Sequence, residues 1–391
     1  MISRAHKIKL KPNKAQAVML SKTAGTARYA YNWALAETYK GWKETGKSPS
    51  VYELANRWTA EKPEWASETA RTSQTRAILN TKSSYKKFIE NLKAGVYAGK
   101  QVEHPSFKRK GVHDSFYVDN AHAKLCGKHI KLPRVGSVRM TELLRYSDCK
   151  IMSYTVSHDA DGWYVSVQVE LEEEVRSSSS SFVGVDVGCK SLAVASDGTE
   201  CRTPGMLKDL ERQLKRKQRL LARKAKGSKN RAKARIKVAK AYQRIRNIKQ
   251  DAVHKFTAAI AKNHGIAVME DLDVKGMKEG CNKHVRKGVQ QSCMAEVHRQ
   301  LMYKCNSYIK VDRYYPSSKT CSNCGFHKAD LLLGERTFVC PSCGLTIDRD
   351  FNAALNLLHE GIRIYTEGHS GSACGEARWS FAEARSVLKN M

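Results

Sequence analysis

Cys321-Ser-Asn-Cys324-Gly325 and Cys340-Pro-Ser-Cys343-Gly344, followed by Asp348-Arg349-Asp350-Phe-Asn-Ala-Ala-Leu355, form the stretch on which the fold of this 391-residue chain turns. The cysteines read C-x2-C-x15-C-x2-C, the spacing of a four-thiolate zinc site. Each pair can hold two sulfurs on one tight knuckle, and two knuckles on facing hairpins supply a tetrahedron. Gly325 and Gly344, directly after each pair, suit such turns. The acids that follow indicate that this zinc ribbon, 316–345, is inserted in a catalytic domain rather than standing alone.

The chain carries 69 Lys+Arg against 38 Asp+Glu, a formal net charge of +31. A surplus that large points to a partner whose phosphates neutralise it. Apolar residues make up 41% of the chain, which excludes disorder throughout, and the length allows two or three domains. No apolar run is long enough to span a bilayer, and Met1 to Lys14 is basic without the apolar centre of a signal peptide. Twelve cysteines, four of them in zinc spacing, fit a reducing cytoplasm better than secretion. The other eight show no pattern and read as small buried residues.

Away from the cysteines the chain divides by texture. A strand, Ala5 to Leu10, precedes a helix over about Lys14 to Thr45. Its aromatics Tyr29, Tyr31, Trp33, Tyr39 and Trp42 could stack on bases, but a stripe of this kind is more often core. Helical pattern returns over Glu68 to Tyr97, and Lys100 to Lys110 reads as a basic loop. His129–Leu132, Ser137–Met140, Ile151–His158 and Trp163–Leu171 read as strands, the last two joined by the turn Asp159 to Gly162. Together with the N-terminal strand they predict a small antiparallel barrel with the helices inserted after its first strand. Glu172 to Ser181 reads as a linker.

Phe182–Val187 and Leu192–Ser196 open a new domain as two strands joined at Gly188. Lys208 to Lys255 then holds 19 Lys+Arg against Asp209, Glu211 and Asp251, about half of the chain's surplus in 48 residues. Leucine and isoleucine periodicity on either side of Gly227-Ser228 predicts a helical hairpin, and so concentrated a charge favours a polyanion partner over a merely solvated face. Ile266–Met269 reads as a strand ending in Glu270, Gln290–Ser307 as a helix, Tyr308–Tyr315 as a strand and Phe351–His359 as a helix.

Three acids stand out. Asp186 ends the strand Val183-Gly-Val-Asp186, Glu270 ends a second apolar strand, and Asp350 lies just before a helix. Burying a carboxylate without a partner costs several kcal/mol, a penalty that bound cations remove. Three converging carboxylates suit two Mg²⁺ or Mn²⁺ ions about 3.5–4 Å apart, the arrangement that cuts phosphodiesters. Singly, Asp186 reads equally as a turn residue, Glu270 as a surface acid and Asp350 as a helix N-cap. Their order, strand acid, strand acid, helix acid, is that of an RNase H-like nuclease.

At these residues the chain resembles the TnpB family of insertion-sequence transposons, RNA-guided DNA endonucleases related to type V CRISPR effectors. The matching stretches are Gly184-Val-Asp-Val-Gly188, Ala195-Ser-Asp-Gly198, His254-Lys-Phe256, Glu270-Asp-Leu272, Tyr315-Pro-Ser-Ser-Lys-Thr-Cys321, the two cysteine pairs, and Asp348-Arg-Asp-Phe-Asn-Ala-Ala-Leu-Asn356, with Arg28-Tyr-Ala-Tyr-Asn-Trp33 near the N-terminus. The segment Cys281 to Val297 lacks the Trp-containing pattern of the family. The resemblance implies a multidomain α+β protein. Residues 1–11 with 111–175 would form a wedge β-barrel, and 12–110 an inserted helical recognition domain. Residues 182–315 with 346–362 would form a RuvC nuclease domain carrying the zinc ribbon. Residues 363–391 would be a tail without fixed structure.

The resemblance further implies a catalytic triad of Asp186, Glu270 and Asp350 holding Mg²⁺ or Mn²⁺, and structural Zn²⁺ on Cys321, Cys324, Cys340 and Cys343. The implied partners are a guide RNA from the transposon end and double-stranded target DNA cut beside a short transposon-adjacent motif, with a monomeric protein. Tyr52, Arg71 and Arg76 are candidates for nucleic-acid contact by position alone, and equally fit core and solvent-facing roles. Two alternatives stand beside this reading: an RNA-guided repressor that binds without cutting, and an RNase H-like transposase.

Overall fold

Alternation of apolar and polar residues builds the first half of the molecule, and Asn13 decides where it changes to helix. The structure, a computed structural model, describes residues 2–98, 104–172, 179–188, 191–202, 204–273, 276–278, 286, 288, 292–332 and 334–369. They fall into two compact units, Met1–Glu173 and Glu174–Met391.

In the first unit, strand β1 (Ile2–Lys11) turns His6, Ile8 and Leu10 inward and the residues between them outward. Helix α1 (Lys14–Thr45) then begins at a capping box, with Gln16 N donating to Asn13 Oδ1 at 2.8 Å and Asn13 N donating to Gln16 Oε1 at 3.0 Å. It stops at Gly46, whose φ of 68° is a left-handed conformation that glycine adopts without strain. Helices α2 (Val51–Glu61) and α3 (Arg71–Ala98) follow; the first of these was not anticipated from the sequence. Seven strands close the unit's core: β1 with β2 (Ser115–Asp119), β3 (Lys124–Cys126), β4 (His129–Leu132), β5 (Gly136–Met140), β6 (Lys150–Asp159) and β7 (Gly162–Leu171). The sheet order is β2-β6-β7-β1-β5-β4-β3 and every ladder is antiparallel. Among the described residues no ladder joins β2 to β3, so the observed element is a seven-stranded antiparallel sheet. One face of α1, Leu20, Ala24, Ala27, Tyr31 and Leu35, packs into the same cluster as the inward residues of the strands. Its other face, Ala30 and Ala34, meets Leu54 and Trp58 of α2. Of the α1 aromatics, Tyr31 is core whereas Tyr29 and Trp42 remain exposed.

The second unit is built on a five-stranded sheet, β10-β9-β8-β11-β12. Its strands are β8 (Phe182–Asp186), β9 (Ala193–Ala195), β10 (Glu200–Cys201), β11 (Ile266–Glu270) and β12 (Ser307–Val311). β9 runs antiparallel to β8 and β10 to β9, while β11 is parallel to both β8 and β12. The crossover from β10 to β11 consists of α4 (Leu207–Ala222) and α5 (Lys229–Asn263), a hairpin broken at Gly227-Ser228 as the sequence predicts. Ser228 caps α5, and Arg231 Nη1 pins the turn by donating to the carbonyls of Leu221 at 3.0 Å and Lys224 at 2.8 Å. α6 (Met294–Lys304) precedes β12 and is shorter than the expected helix. The ribbon strands β13 (Thr337–Val339) and β14 (Thr346–Asp348) pair antiparallel, and α7 (Arg349–His369) follows at once. It begins one residue before Asp350, which therefore lies in its first turn rather than ahead of it. Of the expected linker Glu172 to Ser181, residues 173–178 lie outside the described residues, as does most of 279–291. The tail expected from 363 is instead helical at its start, because α7 continues to His369, and from 370 it lies outside the described residues.

α5 and α6 cover one face of this sheet, around Val183, Val185, Phe256 and Leu301, and α7 covers the other. The α7 contact is unusually close. A Cβ placed on Gly184 would lie 2.0 Å from the Ala354 carbonyl oxygen and 2.6 Å from Leu358 N, and one on Gly361 would lie 2.3 Å from Val268 Cγ2. Only glycine allows backbone to approach backbone so closely. Gly184→Ala is therefore expected to lower unfolding free energy by about 3 kcal/mol. Gly205→Ala, which meets nothing within 4 Å, should change it by less than about 0.5 kcal/mol. Urea denaturation of the two variants checks both.

Candidate active site

The seating of α7 aligns the three acids named from the sequence. The parallel ladder pairs Val268 with Gly184, and the same register carried two residues further sets Glu270 level with Asp186. Neighbouring strands lie about 4.8 Å apart, and side chains two residues on return to the same face. Gly184 faces α7, so Asp186 and Glu270 face it too. Asp350 lies one helical turn before Ala354, the residue that meets Gly184. All three carboxylates are half-buried.

Their proximity is visible in their electrostatics. Asp186 is raised from 3.8 to about 8, first by burial and then by the charges of Glu270 and Asp350, against the opposing pull of Arg349 and the Val187 N–H. Burial raises Glu270, and the Ser317 hydroxyl, which donates to its Oε1, restrains the rise. The neighbouring Asp271 is turned to other partners. Lys310 at 3.1 Å and Arg313 at 3.2 Å hold it below the usual carboxylate range. Asp348 likewise has a separate role: its Oδ1 accepts from Asp350 N at 2.9 Å and Phe351 N at 3.1 Å, capping α7. Asp350 is thereby released from the N-cap role that its place in the sequence also allowed. Its carboxylate faces Arg349 at 3.5 Å and Arg336 at 3.9 Å.

The four cysteines meet. Cys321 Sγ lies 3.6 Å from Cys343 Sγ and Cys324 Sγ lies 3.6 Å from Cys340 Sγ, and all four sulfurs fall within 4.8 Å of one another. A tetrahedron with zinc–sulfur bonds of about 2.3 Å has edges of about 3.8 Å, so the donor set fits that ion. The two knuckles are built alike. Gly325 N donates to Cys321 O and Cys321 N to Phe326 O, while Gly344 N donates to Cys340 O and Cys340 N to Leu345 O. Both glycines have positive φ, 76° and 71°. Among the described residues this is the one group of metal-binding side chains so tightly gathered. The oxygens of Asp186, Glu270 and Asp350 do not gather within that distance of one another.

Buried amides tie the ribbon to the acids, a role not assigned from sequence. Asn352 Nδ2 donates to Thr320 O at 2.7 Å and Asn352 Oδ1 accepts from Ser322 N at 3.0 Å. Asn356 Nδ2 donates to the carbonyls of Ser317 and Thr320 at 2.7 and 2.6 Å. Ser317 in turn holds Glu270. The signal was present as two asparagines four apart on the apolar face of a helix, where a polar side chain must find a partner.

The remaining candidates lie in the first unit. Tyr52 on α2 is 70% exposed and unconstrained by core packing. Arg71 donates to Thr59 Oγ1 at 3.4 Å. Arg76 stacks over the Tyr117 ring at 4.8 Å and, with Arg28, Asn80 and Lys108, lines a cavity of about 280 Å³ that neither Tyr52 nor Arg71 reaches. Among the described residues no helix is long and apolar enough to cross a membrane.

Three family models match the chain: "Probable transposase" over residues 165–280, "Cas12f1-like, TNB domain" over 295–357 and "Helix-turn-helix domain" over 1–47. The last span is a strand and one continuous helix in this structure. "Putative RNA-guided DNA endonuclease InsQ" of Escherichia coli (strain K12) is 30% identical over 396 residues, covering 95% of this chain and 94% of that one. A "Putative RNA-guided DNA endonuclease" of Streptomyces pristinaespiralis is 29% identical over 406 residues, covering 99% and 96%. In fold, the chain is similar to Cas12f1 as solved in a complex with sgRNA and target DNA, with a TM-score of 0.54 at 16% identity over 88% of this chain and 83% of that one. On the strength of a likeness that runs nearly end to end in both sequences, the chain belongs to the TnpB family of insertion-sequence transposons.

Proposed function

We propose that this protein is a guide-RNA-directed, metal-dependent endonuclease that cuts double-stranded DNA beside a short transposon-adjacent motif. The observation that carries the reading is Asp186, half-buried and within electrostatic reach of both Glu270 and Asp350, the three acids coming to one edge of the sheet from two parallel strands and a helix far apart in sequence. Stability alone would not select a half-buried carboxylate held near two others of the same charge. The strand order β10-β9-β8-β11-β12, antiparallel on one side of β8 and parallel on the other, supports an RNase H-like (RuvC) domain. The antiparallel sheet of the first unit supports the wedge barrel, with α1 to α3 as the recognition helices.

In this reading Asp186, Glu270 and Asp350 hold two Mg²⁺ or Mn²⁺ ions, which when bound lower the pKa of an attacking water and stabilise the leaving oxygen of the phosphodiester. Asp186, raised by burial, would have to be ionised to serve as one of these ligands. Ser317 keeps Glu270 oriented, Asp348 fixes the start of α7, and Asn352 and Asn356 keep the ribbon against that helix. Zinc on the four cysteines is structural, with no open position for substrate. The exposed Lys and Arg of Lys208 to Lys255 contact phosphates of the guide and its heteroduplex. Sequence is read by base pairing rather than by side chains.

Asp186→Ala, Glu270→Ala and Asp350→Ala should each slow cleavage of a matched plasmid by about a thousandfold or more, since metal-ion charge stabilisation supplies several kcal/mol. Guide binding, measured by gel shift, should be unchanged. Full cutting by Asp186→Ala would refute the assignment, and strand joining in place of cutting would favour a transposase.

Protonation of Asp186 makes a separate test. The unfolded chain loses this proton near 3.8 and the folded one near 8. The folded state binds more protons in between, so without Mg²⁺ or Mn²⁺ stability should fall as pH rises from about 4 to about 8. Asp186→Asn should flatten that slope in urea titrations of protein that retains its zinc. Cys340→Ser should lower zinc content from about one ion per chain to none and raise protease sensitivity between residues 316 and 345, because metal binding and ribbon folding are coupled.

A further inference from the structure

Arg349 sits inside the acid cluster rather than beside it. Its Nη2 is 3.5 Å from Asp350 Oδ1, its side chain is 15% exposed, and its charge is felt at Asp186. The backbone is held as well, with Arg349 N donating to Arg336 O at 2.7 Å. The position is costly for a cation: Arg349 is the first residue of α7, where the positive end of the helix dipole favours acids. The ribbon supplies a second guanidinium, Arg336, which is 43% exposed and 3.9 Å from the same carboxylate. Arg349 is the more enclosed of the two.

We propose, resting on the nuclease reading above, that Arg349 is a built-in counter-cation of the acid triad that holds the cluster together before divalent ions arrive and opposes their loading. It acts through the carboxylates and is a positioning residue. A fixed positive charge beside an ion site repels each arriving dication twice as strongly as the proton that the dication displaces. Removing the charge therefore strengthens Mn²⁺ binding wherever the ion displaces at most one proton, that is, above the ordinary carboxylate range. A purely structural arginine would behave in the opposite way, since its loss would loosen the site and weaken the ion.

The test uses the full chain with zinc retained and other divalent ions removed, and titrates Mn²⁺ by electron paramagnetic resonance. Arg349→Gln is expected to bind Mn²⁺ about tenfold more tightly than the parent, while Arg349→Lys, which keeps the charge, stays close to the parent. Arg349→Met provides a second neutral variant should the glutamine one fail to fold. Folded neutral variants that bind Mn²⁺ with equal or weaker affinity would overturn the inference and leave the nuclease reading intact. No Mn²⁺ binding by the parent itself would bring down both.

Discussion

The contact between the backbone of α7 and the backbone of β8 at Gly184 governs the second unit. With no side chain between them, the helix lies directly on the strand, and a second glycine, Gly361, makes room on the helix for the Val268 side chain. Each position along α7 is then held in register with a position on the sheet. Asp350 stands off Ala354 by one helical turn and Asp186 stands off Gly184 by two strand residues, so the two carboxylates converge. Any side chain at residue 184 would lift the helix and separate them. The site is thus a consequence of close packing, and its tolerance to displacement is correspondingly small.

The ribbon is fastened to this frame through polar groups rather than through a shared core. Its own core is small, with Phe338 and the two inner cysteines fully buried. Asn352 and Asn356 project from α7 into the segment between Ser317 and Ser322, where they satisfy main-chain carbonyls and an amide. Ser317 then passes the connection to Glu270. A buried network of this type is stable only when every member is satisfied, and it rigidifies what it links. The zinc-binding element and the acid cluster are therefore one mechanical unit although 50 residues separate Glu270 from Thr320.

Charge is distributed with the opposite logic at the site and around it. The chain as a whole has a surplus of +31, half of it on the α4–α5 hairpin, yet three carboxylates are forced together at the carboxyl edge of the sheet. A basic surface collects polyanions, and a concentrated negative pocket collects divalent cations. Arg349 belongs to the pocket by position and to the surface by sign.

Much of this was legible in the amino-acid sequence, because it depends on local rules. Cysteine spacing defined the knuckles, alternation defined β4 to β7 and Gly227-Ser228 defined the hairpin break. Apolar strands ending in Asp186 and Glu270 marked both acids. Periodicity failed where packing overrides it: α2 went unnoticed, since only two of its residues, Leu54 and Trp58, are buried. Only the family resemblance separated Asp350 from Asp348 in the sequence, and the helix N-terminus, which takes its cap from Asp348, supplies a physical difference between them. The sequence by itself determined which groups are available, the thiolates, the carboxylates and the basic hairpin. The tertiary structure decided which of them meet and what each then does, because the approach of α7 to Gly184 and the placement of Arg349 are long-range contacts that no local pattern encodes.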